Sequence, residues 1–289
     1  MLNPHFISEH WPLTDISFGE TLQTYPTRRV VRVYSAQGEF VAKIDDQPHA
    51  FVIAPQAYAL FDFLASRTFP HIPFLLKTKD GHRFVRTHNR SIALMEYIGG
   101  EKPDASRSTW GELGAVVRTL NALTGYPNSY AIDTQGAIAE LMEQANAYPH
   151  KAQIHGFISL LTPLLHTPKH GIVHGEINLA NAARRKDGTL VLLDWDEAGT
   201  GPTVLEAGFP LIVVFLTEDL RFRQELATAF YHRYYAGSAP PDDEKELLFR
   251  AALLHALRFM QFANHQQRWE RVCYAVAQQK QLLSVLPKP

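Results

Sequence analysis

The sequence predicts an α+β protein in two parts, a small strand-rich part over residues 1–98 and a larger helical part over 99–289. Three observations carry this. β-type runs crowd the N-terminal third, capped amphipathic stretches fill most of the chain after Gly99-Gly100, and one β-hairpin interrupts the helices between residues 171 and 198. Alternating βαβ units are absent, which argues against a doubly wound nucleotide-binding sheet.

RRVVRVYS (28–35) and EFVAKI (39–44) are β-type runs joined by Ala36-Gln37-Gly38, a good hairpin connection. APQAYALFDFLASR (54–67) places Tyr58, Phe61, Leu64 and Ala65 at helical 3-4 spacing. Short β-like runs come next: PFLLK (73–77), HRFVRTH (82–88) and SIALMEYI (91–98), with a turn at Asp80-Gly81. STWGELGAVVRTLNALT (108–124) opens with Thr109-x-x-Glu112, a capping-box signature, and further helices are expected near 133–147 and 154–166. The segment GIVHGEINLANAARRKDGTLVLLDWDEA (171–198) then reads as a strand ending at His174-Gly175, a loop, and a hairpin turning at Lys186-Asp187-Gly188. Beyond it the chain is almost wholly helical, with an obvious linker at GSAPPDD (237–243) and no internal repeat.

Composition narrows the function classes. Of 289 residues, 46% are hydrophobic and 20% charged, as in an ordinary globular protein. With 28 basic and 29 acidic residues the net charge is -1, which argues against a dedicated nucleic-acid or membrane-surface binder. The apolar run around Phe209–Leu216 falls far short of the ~20 residues that span a bilayer. MLNPHFISEHWPLTD shows no secretory-signal pattern, and the single Cys273 fits a reducing compartment, so a cytoplasmic location is expected. His166, His170 and His174 recur every four residues, but Pro168 and Gly171 break any helix there, and zinc is set aside.

The hairpin segment carries the chemistry. Its loop presents Glu176 and, five residues on, Asn181; its return strand ends at Asp194-Trp195-Asp196. Carboxylates and an amide are hard oxygen ligands that suit Mg²⁺, whose other sites fill with phosphate and water. A separate carboxylate beside such an ion can orient a substrate hydroxyl and accept its proton.

HGEINLAN followed by LLDWDEA resembles the HGDxxxxN and xxDWxxA motifs of the aminoglycoside phosphotransferase and choline kinase-like family. VAKI (41–44) resembles the family's small-lobe strand, and ALMEYIGGE (93–101) its hinge. The order of strand lysine, helix, hinge, catalytic loop and metal hairpin matches, so the resemblance covers roughly the whole chain and thins after about Leu216. It implies a protein-kinase-like two-lobed fold, with the small lobe at 1–98 binding nucleotide and the lobe at 99–289 holding catalysis and substrate. It also implies ATP or GTP and Mg²⁺ as cofactors and a small-molecule hydroxyl as acceptor, with no nucleic-acid or membrane partner. Residue by residue, Glu176 takes the catalytic-base position and Asn181 and Asp194 hold magnesium. Lys43 steadies the phosphates, and the backbone of Glu96 and Ile98 meets the adenine edge. Asp196 either adds a metal or substrate contact or closes the tight β-loop, and His174 shapes the loop.

Three positions depart from the family. Glu176 stands where it has aspartate, one methylene further out. Gln56 stands where the helix usually supplies a glutamate for the lysine, with Asp62 as another candidate. FGETLQTYPTRRVVRV (18–33) offers only Gly19, with Thr21, Thr24 and Thr27, as a phosphate-covering loop. Glu206, where aspartate is common, reads as structural. Two functions are compatible: an ATP- or GTP-dependent phosphotransferase, or a catalytically impaired relative that binds nucleotide or metabolite in a regulatory or scaffolding role. A protein kinase fits less well, because DW replaces a DFG-type sequence and no activation-loop-like segment comes after Asp194. The helical part contains Glu218, Asp219, Tyr231, Tyr234, Tyr235, His255, Arg258 and Trp269. These could cage a cation, Arg258 and Arg268 could bind an anion, and Tyr231 and Tyr235 at helical spacing read first as packing. Neither the substrate nor the oligomeric state is legible.

Overall fold

The computed structural model describes residues 2–25, 27–46, 50–87, 90–129, 132–167, 169–261 and 265–288, and for Tyr25 and residues 50–56 the backbone only. The chain divides into two compact units, residues 1–102 with 182–196, and residues 103–181 with 197–289. Among the described residues, no helix is long and apolar enough to cross a membrane.

The chain opens with helix α1 (Pro4–His10), capped by Asn3, whose Oδ1 accepts from the Phe6 N–H at 2.8 Å, with Pro4 in the first turn where its missing N–H does no harm. Strands β1 (Ser17–Tyr25), β2 (Arg28–Ser35) and β3 (Gly38–Asp45) come next, then α2 (Ala50–Ser66), β4 (Leu75–Leu76), β5 (Val85–Arg86) and β6 (Ser91–Glu96). They form an antiparallel sheet in the order β1-β2-β3-β6-β4, with β5 on β6.

Register gives this sheet two unlike faces, because side chains alternate along a strand. Val33, Phe40, Ala42, Ile44, Ile92 and Leu94 pack with Ile7, Trp11 and Leu13 into a buried core. The intervening positions, Arg28, Val30 and Arg32 on β2 and Glu39, Val41, Lys43 and Asp45 on β3, belong to the other face, with Arg28 opposite Asp45 and Val30 opposite Lys43.

The second unit runs through α3 (Arg107–Asn121), α4 (Thr134–Ala145), α5 (Lys151–Ser159), a 3₁₀ turn (Thr162–His166) and strand β7 (His170–Val173). Strands β8 (Ala182–Arg184) and β9 (Leu190–Leu192) pair as a hairpin belonging to the first unit. Gly188 supplies the positive φ of its turn, and Asp187 Oδ1 accepts from the Thr189 N–H at 2.9 Å. Strand β10 (Gly199–Pro202) pairs with β7, and α6 (Thr203–Val213), α7 (Gln224–Tyr234), α8 (Asp242–Phe259), α9 (His265–Ala277) and α10 (Gln279–Leu283) complete the chain. Helix α3 packs on α7 and α6 on α8, around Leu113, Leu120, Phe215, Phe230 and Leu253.

Several local expectations need correction. Helix α3 is capped by Ser106, whose Oγ accepts from the Thr109 N–H at 3.3 Å, so Thr109 lies inside the first turn. The helix expected at 154–166 is two pieces, because Pro163 cannot continue the hydrogen-bond ladder. Residues 18–25 are a strand, and Gly19 lies within it, where a Cβ would stand 2.7 Å from Tyr34 Cε2. Tyr231 is buried with its hydroxyl on the Ala207 carbonyl, and Tyr234 and His255 are buried too, so these three pack the interior and do not form a cage.

Candidate active site

In the first unit the strand lysine finds its counter-charges across the hairpin. Lys43 is 6% exposed, and its Nζ pairs with Asp196 Oδ1 and lies 3.7 Å from Asp194 Oδ1. Arg28 donates from Nε to Asp45 Oδ1 at 2.6 Å, places NH2 2.5 Å from Asp196 Oδ2, and leaves NH1 3.9 Å from Asp194. Burial would raise the Asp196 pKa, but Lys43 and Arg28 outweigh it and hold the carboxyl below its ordinary range. Burial pushes Asp194 the other way, with the like charge of Asp196, against the pull of Lys43 and Arg28. The two aspartates therefore differ. Asp196 absorbs both cations, while Asp194, with a side chain 38% exposed, is beyond hydrogen-bond reach of either.

The turn bearing them is fixed by Trp195. Its indole is 2% exposed, meets Phe61 and Phe69 edge-on at 6.3 and 6.4 Å, and donates Nε1–H to the Leu192 carbonyl at 2.8 Å. Asp194 takes φ +62°, a left-handed conformation that aspartate tolerates better than bulkier residues. The hairpin is also tied to the hinge strand. Arg185 forks onto Glu96, with Nε to Oε1 and NH2 to Oε2 both at 2.8 Å, and a Cβ at Gly100 would stand 1.7 Å from the Arg184 carbonyl oxygen. Only glycine fits there.

A hinge cleft of about 450 Å³ is lined by Arg32, Glu39, Glu96, Tyr97, Ile98 and Arg185, among others. The Glu96 N–H is already used, donating to the Phe74 carbonyl at 2.8 Å. Among the described residues, the backbone groups of Ile98 have no hydrogen-bond partner. Burial would raise the Glu96 pKa, but Arg185 and the Phe74 N–H lower it, so this side chain braces the hinge.

In the second unit the Glu176 loop hangs from α6. Glu206, 1% exposed in the first turn of that helix, accepts the N–H of His174 at 3.0 Å and of Gly175 at 2.9 Å. Burial raises its carboxyl from the ordinary 4.5 to about 7, against the lowering effect of those two amides. Gly175 itself takes φ +105°. Asn178 Oδ1 accepts from the Ala180 and Asn181 amides at 2.7 and 3.0 Å and so turns the chain. Asn181 Nδ2 donates to both the carbonyl and Oε2 of Glu176 at 3.2 Å. Its amide oxygen accepts no hydrogen bond among the described residues.

Taken unit by unit, each side chain offers a hard oxygen of the kind magnesium takes alongside water and phosphate: the Asn181 amide oxygen in the second unit, and in the first the Asp194 carboxylate, which neither Lys43 nor Arg28 reaches within hydrogen-bond distance. Among the described residues, no three His, Cys, Asp or Glu side chains gather as a metal cage. The expected helix partner of Lys43 is not Asp62, which pairs with Arg83 Nε at 2.8 Å and Lys77 at 3.4 Å; the side chain of Gln56 lies outside the described residues. Sequence reasoning missed Arg28 and the pairing role of Asp196, since both depend on contacts between residues far apart in the chain. It named Glu206 as structural without finding what it holds.

Residues 26–272 match the model of APH, the phosphotransferase enzyme family. No curated protein matches the chain. Among solved structures, an amicoumacin kinase in complex with AMP-PNP, Ca²⁺ and Ami aligns with a TM-score of 0.67 at 12% identity, covering 100% of this chain and 96% of that one. A microcompartment-associated aminopropanol kinase aligns at 0.64 with 16% identity, covering 98% of each chain. Spectinomycin phosphotransferase in complex with ADP and spectinomycin aligns at 0.61 with 14% identity, covering 97% of this chain and 95% of that one. At such identities the likeness shows a shared fold, the α+β protein-kinase-like one, and the family match covers both motifs, the strand lysine and the hinge. The chain belongs to the phosphotransferase enzyme family.

Proposed function

We propose that this phosphotransferase transfers the γ-phosphate of ATP or GTP to a hydroxyl of a small molecule in one in-line step with Mg²⁺. The observation that carries the reading is the division of labour between two aspartates, Asp196 holding Lys43 and Arg28 while Asp194 stays beyond hydrogen-bond reach of both.

Each residue has a role in that step. Asn181 and Asp194 hold magnesium, which when bound neutralises charge on the phosphate oxygens. Lys43 steadies the phosphates, released in part from Asp196 as they arrive. The open backbone groups of Ile98, with the backbone of Glu96, meet the base edge. Glu176 aligns the acceptor hydroxyl: its oxygen bonds to the γ-phosphorus, the bond from that phosphorus to the bridging oxygen breaks, and the hydroxyl proton passes to the Glu176 carboxylate. No covalent intermediate is needed; Cys273 lies in α9, with its thiol pushed up by burial. The lone cysteine suits a reducing compartment, and we place the enzyme in the cytoplasm.

Calorimetric titration of ATP and GTP, with and without Mg²⁺, tests the reading on wild type and Asp194→Ala. Magnesium-dependent binding is expected in the wild type and its loss in the variant. Absence of nucleotide binding by the wild type would overturn the proposal.

A further inference from the structure

We infer that Arg28 is a second phosphate-binding cation beside Lys43, oriented by Asp45; the inference rests on the nucleotide reading above. The β2–β3 register puts Arg28 opposite Asp45 and Val30 opposite Lys43, so both cations stand on the charged face, one residue pair apart. They grip the same carboxylate from its two sides, Lys43 on Asp196 Oδ1 and Arg28 on Oδ2. The Arg28 side chain is 28% exposed against 8% for Lys43, so it is the more accessible of the two to an incoming anion.

Geometry leaves the fork usable. Nε is committed to Asp45, itself buried, which fixes the plane of the guanidinium. NH1 lies 3.9 Å from Asp194, outside hydrogen-bond range, and among the described residues NH2 pairs with the carboxylate shared with Lys43. A planar fork with open N–H donors suits phosphate oxygens, which it can bind two at a time.

The neighbouring backbone explains why a side chain is needed. Arg28 is the first residue of β2, close behind the end of β1. A glycine-rich turn would approach phosphates through its amides, but the glycine of this segment, Gly19, sits well inside β1 against Tyr34. Arg28 supplies by reach what such a turn supplies by backbone. A merely structural Arg28 would tie Asp45 to Asp196 and have no preference among ligands.

Calorimetry with Mg²⁺ and two probes, AMP-PNP and adenosine, separates these roles on wild type, Arg28→Ala, Arg28→Lys and Asp45→Asn. Arg28→Ala should weaken AMP-PNP binding by about 10- to 100-fold, the range for lost charged hydrogen bonds, and leave adenosine unchanged. Arg28→Lys, which keeps the charge and lacks the fork, should fall between, and Asp45→Asn should lose a few-fold. Equal weakening of both probes, or unchanged AMP-PNP binding in Arg28→Ala, overturns the assignment. If Arg28→Ala fails to fold, Arg28→Lys decides, because unchanged AMP-PNP binding there removes the fork from the argument. Failure of the wild type to bind AMP-PNP removes the nucleotide reading itself.

Discussion

The two halves of the paired motif are anchored by opposite means. The Asp194–Asp196 turn is pinned by an apolar wedge, Trp195, set between Phe61 and Phe69 with its indole N–H on a carbonyl three residues back. The Glu176 loop is pinned by a buried carboxylate, Glu206, which catches two consecutive backbone amides. One anchor works by volume and dispersion, which do not titrate. The other works by charge in a dry site, where the proton is never far from winning. The same task, holding a functional loop still, thus carries two different dependences on pH.

The largest effect expected is from Trp195→Ala. Truncating a buried tryptophan costs roughly 3–5 kcal/mol, and here the cavity opens under the turn that carries Asp194. Urea unfolding at pH 5.5 and pH 8 should show nearly the same loss at both. A loss under ~1 kcal/mol, or one confined to one pH, would mean that the ion pairs of Asp196 hold the turn instead.

Glu206 gives the contrasting result. With its carboxyl raised from 4.5 to about 7 by burial, the native chain binds more protons than the unfolded chain between those values. Stability from this group is therefore full below about pH 4.5, falls as pH rises through that window, and levels off above pH 7. The total is on the order of 3 kcal/mol, taking 1.36 kcal/mol per unit. Glu206→Gln cannot titrate, so the difference in unfolding free energy between wild type and variant should narrow as pH climbs from 5 to 8, other groups cancelling. A pH-independent difference would show that the two amides keep Glu206 ionised throughout.

The same contrast explains what the sequence could disclose. Strands β2 and β3, helix α3 and the turn at Lys186-Asp187-Gly188 were legible because alternation, 3.6 periodicity and turn chemistry are local. Helix α1 left a local signal too, Asn3-Pro4 at its start, but its seven residues are too few for a periodic face. Of the candidate site proposed above, Glu176, Asn181, Asp194 and Lys43 are the residues that spacing and resemblance single out. Their partners could not be found so: Arg28 and Lys43 meet Asp196 only because a hairpin far along the chain joins the first unit. The cap at Ser106 was misplaced because Thr109 mimics the same local pattern, and only the hydrogen bond distinguishes them.

The smallest effect concerns the loop that Glu206 holds. Glu176 uses its extra methylene to bring Oε2 within 3.2 Å of the Asn181 amide, which turns that amide's oxygen to its other side. Glu176→Asp withdraws the carboxylate from this contact while sparing charge and the anchoring amides, so stability should change by less than ~1 kcal/mol. The reacting group shifts by about a bond length, a displacement that can slow transfer on the order of 10- to 100-fold. Single-turnover measurement with any accepted hydroxyl compound, or of slow nucleotide hydrolysis, would read it. A slower Asp variant means that the loop is built around glutamate and the enzyme is complete as it stands. A faster one means that glutamate is the impairment, and the chain is then better read as a nucleotide-binding relative with little turnover, its anchors intact and its base one methylene out of place.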